Sequence, residues 1–315
     1  MDAIKTTIIG IGGAGGNIVG SVCGALKGKN LPSEFAILNT DVQALGALTK
    51  RHGLDPAIAQ QIGKRSTGGL GAGSIPEIGM AAAKEDIGLI RSLVAGRDLV
   101  MVVVGEGGGT GSGAAPILMH EARAAGALTI GWLVMPFTCE GAKRNKIAKT
   151  AQKAAEKEAD SFVVVANDVV GDLVFKDAME NINSTIGQGI EVMIQVLLDP
   201  SLINLDFADF RTVLKGGGRA LFSYASFDGE KRAERVSDNL LKFSLQPATN
   251  ARKVHQSIVF IRGGSDMRRD EIEGVSSAIQ RRLDENALIL MGVSVGDEKG
   301  PLDAVFFGTM AEKNI

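Results

Sequence analysis

The sequence predicts an α/β fold: a doubly wound, mostly parallel sheet, then a long connecting helix and a smaller α+β domain. Three observations predict it. Short β-branched runs alternate with helical stretches from Thr6 to Asp168, the pattern of strands joined by helical crossovers. Glycine-rich and polar segments follow those runs, at the strand ends where ligands of open parallel sheets bind. Beyond Phe175 an amphipathic stretch continues to Asp199 and Pro200, interrupted only by Gly187 and Gly189, and the strand-like runs after it are spaced differently.

Taken in order, residues 6–9 read as the first strand, which enters a glycine cluster and then a helix beginning near Asn17. Further strands are read at 35–38, 99–104, 128–134 and 162–165, and helices at 114–125 and 143–159. Ile182, Ile186, Ile190, Met193, Val196 and Leu197 recur at helical spacing, so 175–198 forms one helix. In the second block, strands are read at 219–227, 256–261, 288–295 and 303–309, with helices at 231–241 and 270–285. The domains are therefore 1–174, the helix 175–198, and 199–315. No repeat or low-complexity linker interrupts them.

Composition narrows the function. The chain has 315 residues, room for two domains, and is 45% apolar but only 4% aromatic. Thirty-four basic residues against 36 acidic ones give a net charge of −2, so no global positive field exists to hold nucleic acid or anionic lipid. Cys23 and Cys139 lack metal-type spacing and read as reduced thiols, and no export leader or membrane-length apolar run is read. The expected location is cytoplasmic, without membrane insertion.

Three glycine clusters carry the chemistry. The tract Gly105-Glu106-Gly107-Gly108-Gly109-Thr110-Gly111-Ser112-Gly113 follows a buried strand and opens a helix. Without Cβ atoms, successive amides can turn toward one point, and the helix N-terminus adds partial positive charge, which makes an anion site. Thr110 and Ser112 add hydroxyls, but no Lys follows, so this is not a GxxxxGK[ST] loop. Amides would hold the phosphates, with a metal ion offsetting their charge. Gly10 to Gly16 and Gly68 to Gly73 repeat the device at other strand ends, the latter before Pro76.

These segments resemble the FtsZ branch of the tubulin superfamily. The resemblance rests on the glycine tract through Pro116, GIGGAGGN at 10–17, NTDVQAL at 39–45, LGAGSIPEIG at 70–79, PFTCEGAKR at 136–144 and NLDFADFRT at 204–212. It implies a tubulin/FtsZ fold, with a GTPase domain, a central helix and a C-terminal activation domain that stack head to tail into protofilaments. It also implies GTP or GDP with Mg²⁺ as ligands, a homopolymer as the assembly, and a role in prokaryotic cell division. Carried over by position, Gly12, Gly13 and Asn17 would line the diphosphate and base side, and Asp41 and Gly105 are further candidate nucleotide-binding residues. Ala72 and Gly73 would approach the γ-phosphate. Gly107, Gly108, Gly109, Thr110, Gly111, Ser112 and Gly113 would wrap the phosphates, while Glu140 would take the ribose, Arg144 would lie beside the phosphates and Asn167 would contact guanine. Asp206 and Asp209, with Asn204, would complete the site of the next subunit and position the attacking water.

The chain departs from that pattern in places. The base-reading aromatic and acid–amide pair fall at Phe175 and at Glu180-Asn181, one residue out of register, so either Glu180 or Asn181 could read the base. Glu106 puts a negative charge inside a phosphate tract, where it must point away or be offset. Cys139 replaces a bulkier apolar residue. The chain stops at Ile315, shortly after its last strand, which reads as a truncated core or a tail-less paralogue and leaves binding of division adaptors doubtful. Two other classes remain open on residues alone. A nicotinamide-dependent oxidoreductase would use Gly10 to Gly15 and Asp41, and a filament protein without turnover would keep the nucleotide as a structural ligand. Likewise Asp206 and Asp209 also fit a helix cap with a first-turn acid.

Overall fold

The structure, a computed structural model, describes residues 4–27, 33–170, 175–198, 205–242, 246 and 251–310. The chain divides into two compact units, Met1–Gly187 and Gln188–Ile315.

In the first unit the order is β1 (Thr6–Ile11), α1 (Gly12–Leu26), β2 (Ser33–Asn39), α2 (Val42–His52), β3 (Ala59–Gln61), α3 (Lys64–Thr67), α4 (Pro76–Glu85), α5 (Ile87–Val94), β4 (Leu99–Gly105), α6 (Gly109–Ala124), β5 (Leu128–Met135), α7 (Ala142–Glu158) and β6 (Ser161–Ala166). The strands pair in parallel in the order β3-β2-β1-β4-β5-β6. Leu99 to Val104 on β4 are all buried, as a central strand covered on both faces requires. The order reverses beside β1, and the β1–α1 and β4–α6 turns flank that switch point.

Two helices begin earlier than their sequences suggest. Expected near Asn17 and at Ala114, they start at Gly12 and Gly109, so much of the glycine runs is helix rather than loop. Glycine is a poor helix former, and packing overrides it. A Cβ on Gly15 would lie 2.1 Å from the Val103 carbonyl oxygen, and one on Gly113 would lie 2.1 Å from that of Pro76.

The long helix, α8 (Phe175–Leu198), spans the point where the chain divides between Gly187 and Gln188. Its first half packs with the first unit, where Gly187 lies against Val22. Its second half packs with the second, where a Cβ on Gly189 would strike the Phe222 ring.

The second unit continues with α9 (Phe207–Leu214), β7 (Gly218–Phe227), α10 (Arg232–Leu240), β8 (Gln256–Gly263), α11 (Arg269–Gln280), β9 (Leu288–Val295) and β10 (Leu302–Thr309). Strands run in the order β7-β10-β8-β9; β10 is antiparallel to both neighbours and β8 is parallel to β9. Val236, Leu240, Val275 and Ile279 from α10 and α11 share a core with Leu221, Val259 and Phe306. Arg232, almost fully buried, donates to Glu271, to Asp266 and to the Gly300 carbonyl.

Candidate nucleotide-binding site

Four segments of the first unit meet around the first turn of α6. Gly12, at φ +71°, places its Cβ position 3.6 Å from the Gly111 nitrogen, and that of Gly109 falls 2.7 Å from the Ala72 oxygen and 2.8 Å from the Ile75 nitrogen. On the other side, Gly107 at φ +90° has its Cβ position 2.8 Å from Arg144 Cγ. Residues 12–17, 72–75, 105–113 and 136–144, picked out separately in the sequence, thus form one cradle. Gly108 caps α6 without a side-chain hydrogen bond, which leaves first-turn amides for a ligand, backed by the helix dipole.

The two hydroxyls of the tract are engaged within the protein. Thr110 Oγ1 lies 2.5 Å from Thr40 Oγ1. Ser112 Oγ accepts from the Gly107 N–H and donates to Glu106 Oε2, both at 2.8 Å. Glu106 therefore points inward, away from the cradle's open side. It is buried, and burial pushes its carboxyl up to about 7 while the Ser112 hydrogen bond pulls the other way.

Around the cradle the carboxylates already have donors. Asp41 caps α2 by accepting from the Ala44 N–H at 3.0 Å. Glu140 accepts from the Phe137 N–H at 2.8 Å and pairs with Arg144 at 3.1 Å. Asp168 accepts from the Thr138 N–H and hydroxyl, which holds the 136–140 turn. Asn167 is buried, and among the described residues its Oδ1 has no hydrogen-bond partner.

Beside α1 opens a cleft of about 760 Å³ lined by Asn17, Arg51, His52, Met179, Glu180 and Asn183, together with Ser21 and Ser184, a volume suited to a nucleoside. Asn17 donates to the Gly13 carbonyl and accepts from Arg51. The His52 ring packs against Gly20, and burial, with Arg51 nearby, lowers its pKa. Of the two candidate base readers, Glu180 lines the cleft and Asn181 does not. Asn183 and Ser184 were missed by the sequence reading; their spacing of three and four residues from Glu180 is the signal that places them on its helix face. The Phe175 side chain lies outside the described residues.

In the second unit, Asp206 is the N-cap of α9, with Oδ1 accepting from the Ala208 N–H at 3.1 Å. Asp209 sits exposed in the first turn. Asn204 lies outside the described residues. Phe210, fully buried, anchors the helix against Phe260. Among the described residues no group of three or more His, Cys, Asp or Glu could hold a metal ion, and no helix is long and apolar enough to cross a membrane.

Glycine-built helix starts gathered at the ends of a parallel sheet, next to a nucleoside-sized cleft, define a nucleotide-binding α/β protein. Residues 5–174 match the profile described as Tubulin/FtsZ family, GTPase domain, and residues 218–302 match the FtsZ family C-terminal domain. The chain belongs to the Tubulin/FtsZ family and is an FtsZ-like GTPase. It is 36% identical to the cell division protein FtsZ of Haloferax mediterranei, over 93% of this chain and 76% of that protein. With FtsZ 1 of Archaeoglobus fulgidus it shares 37% identity over 95% of this chain and 80% of the relative. It spans about half, 52%, of the FtsZ of Magnetospirillum gryphiswaldense, at 35% identity over 94% of this chain. A solved FtsZ dimer of M. jannaschii superposes with a TM-score of 0.87 at 30% identity, covering 98% of this chain and 88% of that one. This family assignment displaces the oxidoreductase reading, for which Asp41 had to hold a ribose; its side chain caps α2 instead.

Proposed function

We propose that this GTPase assembles head to tail into filaments for prokaryotic cell division and hydrolyses GTP only when assembled, with the acidic start of α9 completing a neighbouring subunit's cradle. The observation that carries the reading is that Asp41, Glu106, Glu140 and Asp168 all accept from protein donors. Those four carboxylates are held by donors of their own subunit, which supports a reading in which the exposed Asp209 supplies the water-orienting carboxylate. Asp209 is exposed and Asp206 borders solvent at a helix N-terminus, which suits them to polarising a water against another subunit's γ-phosphate.

Apolar Val42, Leu70, Ile75 and Met80 stand exposed on the segments that border the cradle, an apolar rim of the kind that marks an association surface. Amides of α6 and Arg144 would stabilise the transferring charge. Mg²⁺ would arrive with the triphosphate as part of the substrate, held by phosphate oxygens and water. Glu180, with Asn17 and Asn167, would favour guanine, since a carboxylate accepts from N1 and N2 of that base.

The test is GTP turnover per subunit across protein concentration, with light scattering recorded alongside. Turnover is negligible when dilute and rises with polymer, and Asp209→Ala abolishes it while sparing nucleotide binding. Constant specific activity at all concentrations overturns the reading.

A further inference from the structure

We propose that Glu106 is a proton-carrying positioning residue: buried beneath the phosphate tract, it holds the Gly107 turn through Ser112 and takes up a proton when nucleotide phosphates bind. The proposal rests on the nucleotide reading of the cradle and concerns a residue that reading leaves without work.

The geometry is a short relay. The Gly107 N–H donates to Ser112 Oγ, which donates to Glu106 Oε2, each at 2.8 Å. The Glu106 N–H donates to the Val134 carbonyl at 2.8 Å, which fixes the backbone from which the side chain projects. Only 1% of Glu106 is exposed, and Oε1 is buried with no hydrogen-bond partner among the described residues. An ionised carboxylate needs several donors, and this one has a single hydroxyl.

Among the described residues no cation compensates it. From α6 the group facing it is Ser112; β5 contributes the Val134 carbonyl; α1 brings Ala14 against Gly105. From α7, the aliphatic stem of Arg144 lies against Gly107, while its guanidinium pairs with Glu140. Burial accordingly raises the carboxyl to about 7, opposed only by Ser112. Phosphates seated on the amides of 107–111 bring further negative charge within a residue or two, which favours the neutral carboxyl still more. Linkage then sets the sign: a ligand that raises a pKa binds with proton uptake, and binds more weakly as pH rises above the free protein's value.

The experiment titrates the intact chain with GDP in Mg²⁺ buffer, at concentrations too dilute for assembly, by calorimetry in two buffers of different ionisation enthalpy. GDP's own ionisation contributes equally to both proteins, so the difference between wild type and Glu106→Gln isolates the carboxyl. At pH 7.5 wild type takes up more protons than Glu106→Gln does, by roughly half a proton or more, and between pH 7 and 8.5 its affinity falls about tenfold relative to that of Glu106→Gln. Gln can still accept from Ser112, so a merely structural role would leave no pH-dependent difference. Equal proton uptake with intact GDP binding overturns the proposal alone; absence of GDP binding to wild type overturns the nucleotide reading and the proposal with it. Should Glu106→Gln fail to fold, carbon NMR of labelled wild type decides: a Glu106 carboxyl whose midpoint stays put when GDP is added refutes the assignment.

Discussion

Asp206 has two jobs to separate, because the same carboxylate that would orient a water also caps α9. Its Oδ1 accepts from the Ala208 N–H at 3.1 Å. Asn caps a helix about as well as Asp, whereas Ala loses about 1 kcal/mol at that position. Asp206→Asn therefore keeps the helix, holding stability within about 0.5 kcal/mol of wild type. It nevertheless removes the negative charge proposed to polarise water, an expected loss of about 10²-fold or more in turnover. Asp206→Ala adds the missing cap to the same catalytic loss. The assay pairs urea denaturation with GTP turnover at concentrations where wild type polymerises, and nucleotide affinity is measured separately. If Asp206→Asn hydrolyses at the wild-type rate while Asp206→Ala fails in step with its lost stability, the carboxylate is a cap and the split-site reasoning is wrong.

Four further outcomes follow from the geometry. A Cβ at Gly79 would sit 2.1 Å from the Gly109 oxygen, backbone that cannot yield, so Gly79→Ala pushes α4 off α6 and lowers GTP affinity at least about tenfold in a fluorescent-nucleotide titration. Leu70 is 83% exposed beside the cradle; Leu70→Asp raises the critical concentration for light scattering about tenfold or more while dilute nucleotide binding is unchanged. Arg232→Met strands the Glu271 carboxylate in its partly buried position, which costs on the order of 3 kcal/mol in chemical denaturation. Glu85 accepts from the Arg65 and Ser66 amides and the Ser66 hydroxyl, which hold its pKa at about 2. Its stabilisation is full above the ordinary carboxylate range and is lost as pH falls toward 2, so the melting-temperature gap between wild type and Glu85→Gln narrows over that interval.

What was legible in the sequence was whatever depends on local chemistry repeated in order. The parallel strands, the long helix and the glycine segments announce themselves by β-branched runs, helical spacing and missing side chains. What was not legible depends on a neighbour distant in the chain. The helix starts at Gly12 and Gly109 run against intrinsic propensity, and only the 2.1 Å gap between Gly15's Cβ position and the Val103 oxygen shows why glycine is kept inside a helix. Ser112 reads in sequence as a phosphate-facing hydroxyl, yet Glu106 captures it from six residues away. That Glu180, and not Asn181, lines the cleft beside Asn17 and Arg51 depends on the face of α8 each residue occupies.

These features, which only the folded chain shows, share a cause with consequences for chemistry. A glycine tract serves two purposes with one missing atom: it bares amides to phosphate, and it lets α1, α4 and α6 approach until backbone meets backbone. The second purpose makes the first precise, because amides on helices locked by such contacts cannot drift when a ligand leaves. Side chains that would ordinarily complete an anion site are then free to be spent inward. Thr110 ties to Thr40, and Ser112 ties the Gly107 turn to Glu106. A rigid cradle that ties Glu106, Glu140 and Asp168 to its own donors would hold a triphosphate and leave the attack to a carboxylate from elsewhere, as the proposed split site requires.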